Sequence, residues 1–196
     1  MTNTARIRDN KSALRAAARA RRSALDLAHR AGAAEAVAGH LSNLSLPPDA
    51  VIAGYWPIGE ELDTRPALHR LAATGFRLCL PVTGSRGDPL VFRRWGPDSA
   101  LVSSGFGTMA PAESEHLLTP TVLLMPLLAF DAWGNRLGYG AGHYDRTLAG
   151  FAIRPLCIGL AFAAQEVDTV PREAHDRPMD MIITETGVRH FAVPSE

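Results

Sequence analysis

The sequence predicts an α/β fold with a mainly parallel sheet covered by helices on both faces. Three observations point there. Short apolar runs alternate with helical stretches along the chain. One run, Val122 to Phe130, is apolar throughout, as a buried strand requires. A loop with glycines at alternate positions, Gly138-Tyr-Gly-Ala-Gly142, then opens directly into a charged helical start, His143-Tyr144-Asp145-Arg146.

Each element follows from local chemistry. Residues 11–30 are rich in Ala, Leu and Arg with no Gly or Pro, which predicts a helix. A second helix is predicted over 32–44, closed by Pro47-Pro48. Ala50 to Trp56 is apolar and bounded by Pro57 and Gly59, a buried strand. Thr64 is placed to cap a helix running to Ala73, with Pro66 in the first turn and Gly75 beyond its end. Phe76 to Pro81 reads as a strand, and Leu90 to Trp95 as a third nearer the sheet edge. Residues 96–119 are loop-rich. Thr121 to Phe130, Pro155 to Phe162 and Met179 to Thr184 complete the strands, with a helix over 142–149 after the glycine loop. Residues 1–196 form one domain on this reading.

Bulk composition excludes several classes. Formal net charge is zero, but eight basic side chains (Arg6, Arg8, Lys11, Arg15, Arg19, Arg21, Arg22, Arg30) and two acids (Asp9, Asp26) fall in the first thirty residues. That is one cationic helix rather than a coat for nucleic acid. No apolar run approaches the ~20 residues of a membrane span, and no apolar segment of a secretory signal follows the N-terminus. The two cysteines, Cys79 and Cys157, sit in apolar runs. Buried free thiols and a reducing, cytoplasmic setting are expected.

Ligands on such a sheet bind beyond the carboxyl ends of the strands. Glu60-Glu61, Asp131 to Asp145, Gln165 and His175-Asp176 all follow strands and are expected to gather at one rim. The glycine loop offers bare N–H groups to an anion. Arg136 and Arg146 can hold phosphate or carboxylate bidentately, and Asp145 is a ligand type that Mg²⁺ takes beside phosphate oxygens. Asp176 or Asp180 could complete such a metal site. A tight strand-to-helix turn would produce the same glycines; the flanking charges favour phosphate handling. Lys11, Arg15, Arg19 and Arg22 fall on one helical face, as a solvated stripe, as part of an Arg- and Ala-rich targeting peptide, or as a substrate contact. Glu61 can accept hydrogen bonds from a ligand or carry charge at a helix start. Trp56 is placed to meet a flat ring or to pack in the core.

With these residues in view, the chain resembles the 5-formyltetrahydrofolate cyclo-ligase family. The likeness runs in order through Lys11-Ser-Ala-Leu-Arg15, Glu61-Leu-Asp-Thr64, Pro126 to Asp131, Arg136-Leu-Gly-Tyr-Gly-Ala-Gly-His-Tyr-Asp-Arg146, Gln165 and Val170 to Asp176. The resemblance implies a three-layer α/β/α fold like that of sugar-phosphate isomerases and CoA transferases. It implies an ATP- and Mg²⁺-dependent reaction on a reduced folate, yielding 5,10-methenyltetrahydrofolate. On this resemblance Lys11 and Arg15 contact ATP phosphates. Arg136, Leu137, Gly138, Tyr139, Gly140, Ala141, Gly142, His143 and Tyr144 form the nucleotide loop, with Tyr139 to His143 also near the folate. Asp145 and Asp176 are the metal ligands, and Trp56 and Glu61 contact the folate. Lys11, Arg136 and Arg146 are the catalytic cations, Arg146 as a further phosphate clamp on chemical grounds alone. A monomer is expected, with a small-molecule substrate and neither nucleic acid nor membrane as partner.

The loop departs from the family's usual Gly-x-Gly-Gly-Gly-Tyr-Tyr-Asp at Ala141 and His143. Ala110 stands where a related segment carries Glu, with Glu113 nearby. Two other readings fit the same residues: an ATP-dependent enzyme on another formyl or carboxyl substrate, and a non-catalytic sensor of a phosphorylated metabolite.

Overall fold

A computed structural model describes residues 3–85, 87–173 and 176–191. Helix α1 (Asn3–Ser23) is followed by α2 (Leu27–Ser42), β1 (Val51–Ala53), α3 (Arg65–Ala73), β2 (Arg77–Val82) and β3 (Val91–Trp95). Then come β4 (Leu101–Ser103), β5 (Met109–Pro111), β6 (Val122–Pro126), β7 (Ala129–Phe130) and β8 (Arg136–Leu137). Helix α4 (His143–Ala149), β9 (Leu156–Leu160), β10 (Met181–Thr184) and β11 (Gly187–His190) end the described chain.

Seven strands form one sheet in the order β11-β10-β9-β6-β1-β2-β3. The five inner strands are parallel, and β3 and β11 pair antiparallel at the two edges. The predicted α/β fold with a mainly parallel sheet is therefore present, and the Leu90–Trp95 run is an edge strand. Side chains alternate across the strands, which divides the core in two. Ile52, Leu78, Leu80, Leu124, Ile158 and Ile183 face α2 and α3. Val51, Cys79, Leu123, Met125 and Cys157 pack on the other side with Leu148 of α4 and Phe130 of β7. Helix α1 covers the short β7–β8 hairpin through Ala18 and Leu14, against Leu128, Ala129 and Leu137.

Several boundaries differ from the sequence reading. The first helix stops at Ser23, and Asp26 starts a new one by accepting a hydrogen bond from the His29 N–H at 2.7 Å. The long apolar run splits after Pro126, where β6 leaves the sheet and β7 turns into a hairpin with β8. A proline has no N–H for the ladder, and apolar composition alone does not reveal that break. Thr64 precedes α3, but its hydroxyl donates to the Tyr55 carbonyl at 2.6 Å instead of capping. Within the loop-rich 96–119 stretch, β4 and β5 form a small ribbon. The thiols of Cys79 and Cys157 are buried and free, and burial pushes them up to about 12 and about 11. Among the described residues no helix is long and apolar enough to cross a membrane.

Candidate active site

The carboxyl ends of β1, β2 and β6 open into a cavity of about 1230 Å³. Three segments converge on it. Helix α1 contributes Arg8, Lys11, Arg15, Arg19 and Arg22, the segment after β1 contributes Tyr55 to Glu61, and the glycine loop contributes Arg136 to Asp145. Glu173 and Asp176, far along the chain, close one side. The cationic stripe of α1 thus lines the cavity, with Lys11 and Arg22 buried, Arg15 half-buried and Arg19 exposed.

Lys11 is buried at 8% exposure. Its Nζ lies 2.6 Å from Asp176 Oδ2 and 2.9 Å from Glu173 Oε2. Burial pulls its pKa down, but the hydrogen bonds and charges of Asp176 and Glu173 outweigh that and raise it. Arg15 donates from Nε to the Gly138 carbonyl at 3.0 Å, and a Cβ at Gly140 would come 3.3 Å from its Cζ. Gly140 and Gly142 both hold left-handed backbone (φ 99° and 69°), so the Ala141 departure falls on neither of these two positions. The loop is pinned to α1 by these contacts.

Arg136 is nearly buried; it bonds Asp145 through Nη2 and the Arg177 carbonyl through Nη1 at 2.6 Å. Asp145 and Asp176 both line the cavity, each ion-paired to a cation of the site. No cluster of three or more metal-type side chains occurs among the described residues. Mg²⁺ bound through nucleotide phosphate needs only one or two protein carboxylates, so this donor set fits that ion. Helix α4 has only seven residues, leaving loop N–H groups and arginines as the main attraction for an anion.

On the opposite side, Glu61 accepts from the Ile58 N–H at 2.9 Å. Burial pushes its pKa above the ordinary carboxylate value, while Tyr139, Ile58 and Arg22 pull it back only in part. Trp56 lines the same region, with Trp95 tilted against it at 6.2 Å and Arg65 over its ring at 5.8 Å. His143 lines the cavity and places Nδ1 2.9 Å from the Asp88 carbonyl. Tyr144 lies beside it, its hydroxyl pushed well up by burial.

Some expected residues are elsewhere. Arg146 is exposed, does not line the cavity and donates to the Ala141 carbonyl, so it braces the loop. Gln165 is buried and structural; its amide donates to the Leu127 and Leu128 carbonyls at 2.6 and 3.0 Å. Asp131 is buried and accepts from Trp133, Asn135 and Val170. Asp180 binds Arg154 and the Cys157 N–H. Ala110 is buried in β5, Glu113 is exposed, and neither lines the cavity. His175 lies outside the described residues. Glu173 was not anticipated, because nothing local in its sequence marks it as a partner of a lysine 162 positions away.

Comparison with known proteins identifies the family. The 5-formyltetrahydrofolate cyclo-ligase family matches residues 7–185. A 5-formyltetrahydrofolate cyclo-ligase of Mycolicibacterium smegmatis is 37% identical over 183 residues, covering 89% of this chain and 93% of that protein. The Escherichia coli K12 protein of the same name is 35% identical over 144 residues, 70% of this chain and 79% of its own. The solution structure of Aquifex aeolicus 5,10-methenyltetrahydrofolate synthetase superposes with a TM-score of 0.78 at 29% identity, covering 95% of each chain. The chain is an enzyme and belongs to the 5-formyltetrahydrofolate cyclo-ligase family.

Proposed function

We propose that this enzyme uses ATP and Mg²⁺ to convert 5-formyltetrahydrofolate into 5,10-methenyltetrahydrofolate. The observation that carries the reading is the convergence of the α1 cations, the glycine loop and the Glu61–Trp56 edge on one cavity. It is large enough for two substrates side by side. Its lining holds six cations (Arg8, Lys11, Arg15, Arg19, Arg22, Arg136) and five carboxylates (Glu60, Glu61, Asp145, Glu173, Asp176). A polyanion enters such a site by exchanging partners with ion pairs already present.

Lys11 leaves Asp176 and Glu173 for phosphate oxygens, and Arg15 and Arg136 flank the triphosphate with the loop from Arg136 to Tyr144. Asp145 and Asp176 would hold the Mg²⁺, which when bound neutralises charge on the transferred group. On the other side Glu61 accepts pterin N–H groups, and Trp56 and the Tyr139–His143 loop border the ring. The γ-phosphoryl group moves to the N5-formyl oxygen. N10 then attacks the activated formyl carbon, and phosphate departs with that oxygen, leaving ADP and phosphate beside the product. Catalysis on this reading is mainly positioning and charge neutralisation. The same reading takes the 196 residues as one domain acting as a cytoplasmic monomer.

The test is the rise in near-ultraviolet absorbance of methenyltetrahydrofolate from 5-formyltetrahydrofolate, ATP and Mg²⁺, with each omitted in turn. Dependence on all three supports the reading. Ligand-induced stabilisation without turnover would favour a sensor, and turnover only with another formyl or carboxyl compound would favour a divergent enzyme.

A further inference from the structure

Arg22 takes no step in the scheme above, yet it lines the cavity and is buried at 6% exposure. Its Nη1 donates to the Tyr139 hydroxyl at 2.6 Å, a charge-assisted bond between α1 and the glycine loop. Its Nε is buried with no hydrogen-bond partner among the described residues. A buried cation with an unpaired nitrogen is a poor choice for stability, since an apolar side chain would fill the same space without that cost. The residue is better explained by what it holds. Between Leu137 and His143 the loop reads Gly-Tyr-Gly-Ala-Gly, so Tyr139 is its one side chain larger than a methyl group. Three glycines leave such a segment many backbone conformations, and one anchored side chain removes much of that freedom.

Helix α1 meets that side chain along two adjacent rows. Leu14, Ala18 and Arg22 recur every four residues and so share one row. Leu14 and Tyr139 pack against the small core of Ala18, Leu128, Ala129, Leu137 and Val170, and Arg22 ends the row at the tyrosine hydroxyl. In the next row Arg15 bonds the Gly138 carbonyl at 3.0 Å, and the Arg19 guanidinium lies 5.7 Å from the Tyr139 ring centroid. We propose that Arg22 is a positioning residue for the nucleotide loop: its bond to the Tyr139 hydroxyl fastens residues 138–142 to α1, so that their N–H groups stand ordered before phosphate arrives. This rests on the reading of residues 136–144 as the nucleotide loop. Ordering done in advance is not charged against binding, so a fastened loop holds phosphate more tightly than a loose one.

Two measurements test this: NMR order parameters of the backbone amides of residues 138–142 without ligand, and the calorimetric Kd for ATP with Mg²⁺ in the absence of folate. The proteins are wild type, Arg22→Met, Tyr139→Phe and the double variant, with β6 and β9 amides as the reference for an intact fold. The wild-type loop is expected near the rigid value of about 0.85, and each single variant below about 0.6. Each single variant is also expected to bind ATP about fivefold more weakly or worse. The double variant stays within about twofold of the weaker single one, because both substitutions remove the same bond. The Tm of Arg22→Met is expected at or above the wild-type value; a merely structural role would lower it and leave the loop ordered. A folded Arg22→Met protein with wild-type loop order overturns the proposal, as does a double variant whose losses multiply. Should Arg22→Met fail to fold, Tyr139→Phe decides alone by the same order parameters. A disordered loop with unchanged ATP affinity leaves Arg22 as the anchor and overturns the nucleotide-loop reading instead.

Discussion

Lys11 and Glu61 mark the two halves of the cavity, and their surroundings lead to different expectations. Lys11 already balances two carboxylates, so its removal leaves Glu173 and Asp176 less compensated and, on the proposed reading, takes a phosphate contact from the site. Lys11→Ala is expected to lower ATP-dependent turnover about a thousandfold, the low end for loss of a cation that stabilises a transferring phosphoryl group. Steady-state kinetics with 5-formyltetrahydrofolate checks it. Glu61 is a half-buried acid whose folded pKa lies above its unfolded value, raised by desolvation. Such a group binds protons more tightly when folded, so its contribution to stability falls as pH rises through that interval. At neutral pH Glu61→Gln is therefore expected not to lower Tm, while raising the folate KM about tenfold or more, since hydrogen bonds to a charged group are worth roughly 1.5–3 kcal/mol. Thermal melts beside kinetics would separate the two effects. Residue chemistry was legible where a motif carried it: Lys11, Arg15, Glu61 and Asp145 all reached the cavity. Arg146, argued from charge type alone, does not line the cavity and donates instead to the Ala141 carbonyl of its own loop.

At the scale of elements, periodicity located the parallel strands and the four α-helices of the described residues but blurred their ends. Asp26 is a capping residue inside a stretch that otherwise looks continuously helical, so the α1–α2 break lay in one side chain. The β7–β8 hairpin was hidden in an apolar run and a glycine-bearing turn whose pairing is tertiary. The glycine loop was legible as a loop, and its geometry adds a constraint. Gly142 sits at φ 69°, and a Cβ there would come 2.8 Å from Arg146 Nη1. Gly142→Ala is expected to cost about 1 kcal/mol or more through left-handed strain and to displace the Arg146 brace. The measurements are chemical denaturation for stability and ATP KM for the loop, with KM rising more than the stability loss explains.

For the whole molecule, sheet topology determines what the local sequence could not. A parallel sheet delivers the ends of β1, β2 and β6 to one rim, so residues scattered along the chain share one cavity. That rim was foreseeable from the alternation of strands and helices. The crossing of α1 over it, and the closure by Glu173 and Asp176 some 160 positions from Lys11, depends on packing between distant segments. The central claim is that one triphosphate is gripped jointly by α1 and the glycine loop, next to a folate held at Glu61. A structure with a non-hydrolysable ATP analogue, Mg²⁺ and 5-formyltetrahydrofolate tests it most directly. The account predicts phosphate oxygens within hydrogen-bond reach of Lys11 Nζ and of N–H groups in residues 138–142, with the formyl oxygen facing the terminal phosphate. Phosphates bound outside this cavity, or Lys11 still paired to Asp176 in the loaded enzyme, would contradict it.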